Sequence, residues 1–327
     1  MSRASRNHKT GRGRGGLRAL MALALAFACV SPALLGAGSA LAVTTVTEFN
    51  VPTPAASPAG ITGGPDGNVW FTEYGTNQIG RCTRDGTITE FTLPAGFGPA
   101  GITAGPDGNL WFVEWGADMV AQSTTAGAIT EYALPVNSNP SGITTGPDGN
   151  LWFTEQDADM IGRITTAGAI TEFPVPAGRS PRFICSGPDG ALWFTEIDGD
   201  RIGRMTTAGV LTDEFPTPTA ASDPSGIALG PDGNLWFTEL APAGNRIGRC
   251  TPAGAITEYI IPTAASRPQN ICLGRDGNMW FAEFTSGMLG SINMSGTITE
   301  YTIPTAASAP FGITHGPDGA IWFTEFA

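Results

Sequence analysis

The chain has 327 residues, 17 Lys and Arg against 29 Asp and Glu, and a formal net charge of −12. A surface this acidic repels phosphate backbones and argues against a nucleic-acid partner. The 45 glycines and 26 prolines suit a chain of short runs punctuated by turns.

The first 42 residues stand apart. Arg3, Arg6, Lys9, Arg12, Arg14 and Arg18 make a basic start, Leu17 to Val30 is apolar, and Ala40-Leu41-Ala42 fits a small-x-small cleavage site. This is the pattern of a signal peptide, 1–42, which leaves 43–327 as the folded domain. Ser31, Pro32 and Gly36 interrupt the apolar run and argue against a membrane anchor. Phe27 is too bulky for a lipoprotein site at Cys29, and no Arg-Arg pair marks a twin-arginine route. Without this segment the chain keeps 11 basic residues, all Arg, against 29 acidic ones. The expected product is an acidic monomer, secreted or periplasmic, with no membrane span after cleavage.

From residue 58 onward one unit repeats. Gly-Pro-Asp-Gly followed by Asn-Leu-Trp-Phe-Thr-Glu, with small variations, places tryptophans at Trp70, Trp111, Trp152, Trp193, Trp236, Trp280 and Trp322. The spacings are 41, 41, 41, 43, 44 and 42 residues. A period in the low forties with short strands and Gly/Pro turns predicts an all-β, seven-bladed β-propeller with one four-stranded blade per repeat. A closed ring of this kind counts as one domain, because each blade needs its neighbours for cover.

The third repeat illustrates a blade. Gly142-Ile143-Thr144-Thr145 reads as a sparse inner strand, Gly146-Pro147-Asp148-Gly149 as a type I turn, and Leu151-Trp152-Phe153-Thr154-Glu155 as the second strand. Ile161-Gly162-Arg163-Ile164-Thr165 reads as the third strand, Thr166-Ala167-Gly168 as a hairpin turn, and Ala169-Ile170-Thr171-Glu172-Phe173 as the outer strand. Val46-Thr47-Glu48-Phe49 matches the outer-strand pattern, so it should close the ring from the N-terminal side. The chain stops two residues after the seventh Trp-Phe-Thr-Glu. The last blade is therefore expected to be incomplete, with no third strand. Cys82 and Cys250 fall on the third strands of blades 1 and 5, Cys185 and Cys272 on the inner strands of blades 4 and 6, and all four are expected to be free thiols.

Several residues invite a chemical reading. Glu73, Glu114, Glu155, Glu196, Glu239, Glu283 and Glu325 repeat in register, yet seven unpaired carboxylates facing one channel would repel one another and take up protons. Thr before the Glu and Arg in Ile-Gly-Arg vanish together in blades 2 and 6, where Val113 and Gln122, and Ala282 and Ser291, replace them. That pairing predicts a Thr–Arg–Glu hydrogen-bonded cluster. The aspartates at Asp66 and its equivalents read as turn residues rather than metal ligands. No metal site is read from the residues themselves.

Binding residues belong where the repeats disagree, in the loops that open on the channel mouth. After each interblade Pro stand Ala59, Ala100, Ser141, Arg182, Ser225, Gln269 and Phe311. After each repeated Glu stand Tyr74, Trp115, Gln156, Ile197, Leu240, Phe284 and Phe326. The aromatics cluster in blades 6, 7, 1 and 2. Tyr74, Trp115, Phe284 and Phe311 are thus candidate apolar ligand-binding residues, with Arg182 and Gln269 as polar partners.

The repeated Gly-Ile-Thr-x-Gly-Pro-Asp-Gly-Asn-Leu-Trp-Phe-Thr-Glu, followed by Ile-Gly-Arg-Ile-Thr and Ile-Thr-Glu-Tyr, closely resembles the virginiamycin B lyase (streptogramin lyase) family over residues 46–327. The resemblance implies a seven-bladed propeller that linearises a cyclic depsipeptide antibiotic by Mg-dependent C–O elimination. It also implies histidines after the interblade Pro of the last two blades, a Glu before the last such Pro, and another just after the final Trp-Phe. In this chain those positions are Gln269, Phe311 and Ala309, and only Glu325 can stand for the last carboxylate. His315 is the one histidine beyond residue 42.

An elimination needs a base within reach of the proton, and Glu325 and His315 are weak catalytic candidates. The expected function is an exported propeller that lacks the catalytic histidines and binds a small ligand or partner at the channel mouth. One alternative is a streptogramin-type carbon–oxygen lyase with altered machinery, with Mg as the cofactor the resemblance implies. The other is a propeller-type lactonase, for which Asn270 is the one inner-strand candidate.

Overall fold

Residues 46–94 and 97–326, together with the backbone of 21–25, are described by a computed structural model. The leader assigned to 1–42 lies outside the described residues apart from Met21–Leu25. The architecture is an all-β propeller, and among the described residues the one helical element is a single 3₁₀ turn at Trp115–Ala117. Among the described residues no helix is long and apolar enough to cross a membrane.

Six blades follow one another from Pro58 to Thr302, each a meander of four consecutive antiparallel strands. In blade 3 these are Pro140–Thr145, Leu151–Glu155, Met160–Ile164 and Ile170–Pro174. A further four-stranded sheet is assembled from the two ends of the chain. Its inner strands are Pro310–His315 and Ile321–Glu325, and Val46–Phe49 is its outer strand. Pro310–His315 packs against the inner strands of blade 6 on one side and blade 1 on the other, which closes the ring.

The third position of this composite sheet is not empty, contrary to the expectation of an incomplete blade. Met21–Leu25 pairs with both Ile321–Glu325 and Val46–Phe49. An open position would leave two unpaired ladders of N–H and C=O groups, and an apolar extended segment satisfies them. Register shifts interrupt both of its pairings, whereas the third strand of every other blade meets its second strand in unbroken register.

The core lies between blades. Period-2 alternation puts Trp152 and Thr154 on one face of their strand and Leu151, Phe153 and Glu155 on the other. Each tryptophan then packs on the Phe of the following blade, as Trp111 does with Phe153. Each indole also stacks on an aromatic of its own outer strand, with centroids 5.0–6.3 Å apart. Its Nε1–H donates to the turn aspartate four residues earlier at 2.9–3.2 Å in all seven repeats. The aspartates are therefore tryptophan clamps. Partial burial opposes ionisation of Asp148, but bonds from Asn150 and Trp152 outweigh it and hold the carboxyl below its ordinary value.

The Thr–Arg–Glu cluster does not form. Arg81 lies opposite Trp70, so it shares a face with Trp70 and Thr72, while Glu73 points from the other face. The Thr of each pair, and the Arg of three of the four, reach the next blade instead. Thr72, Thr154, Thr195, Thr238 and Thr324 donate to an inner-strand carbonyl of the following blade at 2.5–2.8 Å. Arg81, Arg163 and Arg249 stack on their Trp rings at 5.6–5.9 Å and donate to a carbonyl one blade on. Arg204 instead bonds within its own blade, to Asp189, Thr212 and Asp213, and blades 2 and 6 have neither the Thr nor the Arg. Cys82, Cys185, Cys250 and Cys272 are free.

Candidate functional site at the channel mouth

Two loops of each blade meet at one end of the channel, and one backbone bond fixes them. The N–H of the residue after the repeated Glu donates to the carbonyl of the residue before the inner-strand Pro, as in Tyr74 to Ser57 and Phe326 to Ala309. The acceptor residue has positive φ in every blade, Gly98 in blade 2 and non-glycine elsewhere, for example Ala309 at 48° and Arg267 at 53°. Such strained conformations persist only where surrounding structure enforces them. A register irregularity follows each Pro, between Pro140 and Ile143 in blade 3 and at the same place in all seven inner strands. It aims the residues just after the Pro at the mouth.

The third residue of the inner strand is glycine in five blades, because inner strands converge there. A Cβ on Gly60, Gly101, Gly142, Gly226 or Gly312 would sit 2.2–2.8 Å from a backbone carbonyl oxygen of the next inner strand. Blades 4 and 6 depart from this rule with Phe183 and Asn270.

These departures frame a cavity of about 330 Å³ lined by, among others, Tyr74, Trp115, Arg182, Phe183, Phe311 and Phe326, with Ser141, Gln156 and Asn270 as neutral polar groups. Of the residues singled out from sequence, Tyr74, Trp115, Arg182 and Phe311 come together on this lining. Phe284 and Gln269 stand behind it. Phe284 packs edge-on against Phe311 at 6.4 Å and tilted on Phe326 at 6.2 Å. Gln269 is buried, and its Oε1 accepts a hydrogen bond from Arg182 Nη2 at 3.2 Å across the ring. Phe183 was not singled out from the sequence. The signal was present, since it replaces a glycine that five blades keep.

The repeated glutamates do not face the cavity. Glu73, Glu114, Glu155, Glu196, Glu239, Glu283 and Glu325 are buried, and each feels the glutamate of its own outer strand, which sits opposite a third-strand glycine in five blades and an alanine in the other two sheets. Burial first, and the outer carboxylate second, push Glu73 up to about 7, Glu114 to about 8 and Glu325 to about 8. Glu239 reaches about 9 through burial and Glu258, against the lowering pull of Arg246 and Ser222. The outer partners are themselves pinned by the interblade linker. The N–H and Oγ1 of Thr53 both donate to Glu90 at 2.8 Å, and Thr219 and Thr305 hold Glu258 and Glu48 in the same way. Two carboxyls this close hold one proton between them more readily than two charges.

The sequence profile of the virginiamycin B lyase family matches residues 36–213 and 177–327. The chain belongs to that family. Its fold is similar to a solved streptogramin B lyase, 42% identical with a TM-score of 0.81, over 85% of this chain and 93% of that one. It is also similar to virginiamycin B lyase from Staphylococcus aureus, 41% identical with a TM-score of 0.79, over 84% of this chain and 97% of that one. A catalytically inactive histidine-to-alanine variant of the Staphylococcus aureus enzyme, solved with quinupristin, is 43% identical with a TM-score of 0.78, over 82% and 92% of the two chains. No curated protein sequence matches.

Within the family frame, the two positions where the resemblance implies histidine hold groups with other tasks. Phe311 is part of the aromatic wall, and Gln269 braces Arg182. Glu325 pairs in register with Pro310 but is closed off, with both carboxylate oxygens buried. His315 pairs with Ile321 at the far end of the same strand, five residues from Pro310. At about 3.3 Å per residue it stands on the order of 16 Å from the mouth. The lining also does not fit the magnesium that the resemblance implies. A hard divalent cation needs several oxygen ligands, carboxylates first among them, whereas the described lining offers neutral Ser, Gln and Asn groups beside a guanidinium.

Proposed function

We propose that this member of the virginiamycin B lyase family is an exported, seven-bladed, monomeric propeller that binds a small molecule at the channel mouth and does not open streptogramin B efficiently. One observation carries the reading. The cavity is walled by Tyr74, Trp115, Phe311 and Phe326 opposite Arg182, and its described lining holds neither a histidine nor a carboxylate. Gln269 cannot act as a base at neutral pH, and Phe311 offers neither a proton acceptor nor a metal ligand. Loss of a positioned general base costs roughly 10²- to 10⁴-fold.

The test is turnover of streptogramin B with Mg²⁺, beside a histidine-bearing relative. Elimination yields an isomer of unchanged mass, and hydrolysis adds a water. The expected rate is at least about 100-fold below the relative's, and a matching rate overturns the reading. A second reading, residual elimination, is favoured by the raised pKa of Glu325. Under it, Gln269→His with Phe311→His restores turnover, and failure of that rescue leaves the binding role.

Export rests on the 1–42 pattern. Cleavage after Ala42 would remove Met21–Leu25 from the composite sheet and leave its third position open. N-terminal sequencing of the protein recovered outside the cytoplasm should begin at Val43, and retention of residues 1–42 contradicts export by cleavage.

A further inference from the structure

Resting on the binding role above, we infer that the ligand of the mouth is an aromatic carboxylate, its ring held by the aromatic wall and its carboxylate by Arg182. Arg182 lies deep in the ring yet keeps part of its surface open to the cavity. Among the described residues it forms no ion pair. Among the described residues the one hydrogen bond of its guanidinium goes to the neutral Gln269, and the same group lies over Phe183 at 5.7 Å. A buried cation without an anion is costly, and its ordinary remedy is a bidentate carboxylate.

The surroundings sharpen the point. Burial first, and then the like charge of Arg267, pull Arg182 down to about 10, and Asp223 offsets this without reaching ion-pair distance. It therefore remains protonated at neutral pH. Arg182 and Arg267 bring two cations to the mouth of a chain with 29 acidic residues, and Asp223 acts on both. The opposite side is apolar, where Phe311 and Phe326 are 5.7 Å apart and Tyr74 and Phe326 6.1 Å. Cation on one wall, stacked rings on the other and room for a two-ring molecule define an amphipathic anion.

The test uses 2-naphthylacetate and its neutral isostere 2-naphthylacetamide, titrated into the purified protein by calorimetry. The acid should bind roughly tenfold or more tighter than the amide, the scale of one charge-assisted bidentate contact. Arg182→Gln should remove the difference and leave amide binding in place. Gln269→Glu, which supplies Arg182 with an internal carboxylate, should do the same and covers the case in which Arg182→Gln does not fold. Equal binding of acid and amide to the unaltered protein overturns the anion assignment while the binding role stands. Binding of neither probe overturns both. A preference for the acid that survives both substitutions also overturns the assignment to Arg182.

Discussion

The repeated layer of each blade and the channel mouth obey opposite rules. In the layer, seven Trp–Asp clamps agree to within a few tenths of an ångström. At the mouth, the residue after the inner-strand Pro is Ala, Ala, Ser, Arg, Ser, Gln and Phe in turn. Sevenfold identity is what stacking needs, since every blade must cover the same neighbouring surface. Recognition needs the symmetry broken, because a ligand with one charged end requires one arginine and not seven. On the proposed binding role, stability resides in the repeat and binding in the exceptions, and the two should come apart under perturbation.

Alkaline pH should act on the repeat most strongly. The seven second-strand carboxyls have an ordinary value of 4.5, and the fold raises them to between about 7 and 9. The folded chain then holds more protons than the unfolded one. The associated stability is complete below the unfolded value and is lost as pH rises through 7 to 9. Melting temperature measured from pH 5 to 10 should fall steadily, and Glu239→Gln should flatten part of that fall. A flat profile would show that the pairs carry no proton.

Next in size, Trp152→Ala should cost about 3–5 kcal/mol by opening a cavity against the next blade and stranding Asp148. Chemical denaturation gives the number, and probe affinity at the mouth should be unchanged in the surviving folded fraction. Gly226→Ala sits on the border between the two regions. Its Cβ would meet Gln269 O at 2.5 Å and Asn270 Cα at 2.7 Å. A loss of about 1–3 kcal/mol is expected, together with weakened binding of the acid probe, because Gln269 braces Arg182. If stability falls and the acid–amide difference persists, that brace is not needed.

The smallest effect belongs to Thr238→Val. It removes the acceptor for Gly226 N–H and the donor to Gln269 O, at about 1–2 kcal/mol. Blade 2, which has Val113 already, shows that the loss is tolerated.

The repeat was legible because its period and alternation are local and recur seven times. The ends of the third and outer strands shifted by one residue, and the inner strand begins two residues earlier than expected, at the interblade Pro140. The covariation of Thr and Arg was correctly noticed, but assigning them to Glu ignored that Arg81 and Glu73 leave opposite faces. The glutamate partners were invisible because Glu73 and Glu90 meet only once the meander folds. Phe183 is legible only by comparison with Gly142 and Gly226, since along its own strand a Phe is an ordinary strand residue. The filling of the composite sheet by Met21–Leu25 was hidden because that run has the composition of a leader.

The most direct measurement of the central claim is a crystal structure with 2-naphthylacetate bound at saturation. The account predicts density for the naphthyl ring against Phe311 and Phe326, with both carboxylate oxygens about 3 Å from the Arg182 guanidinium. An empty mouth with the probe held elsewhere on the ring, or a carboxylate turned away from Arg182, would contradict it.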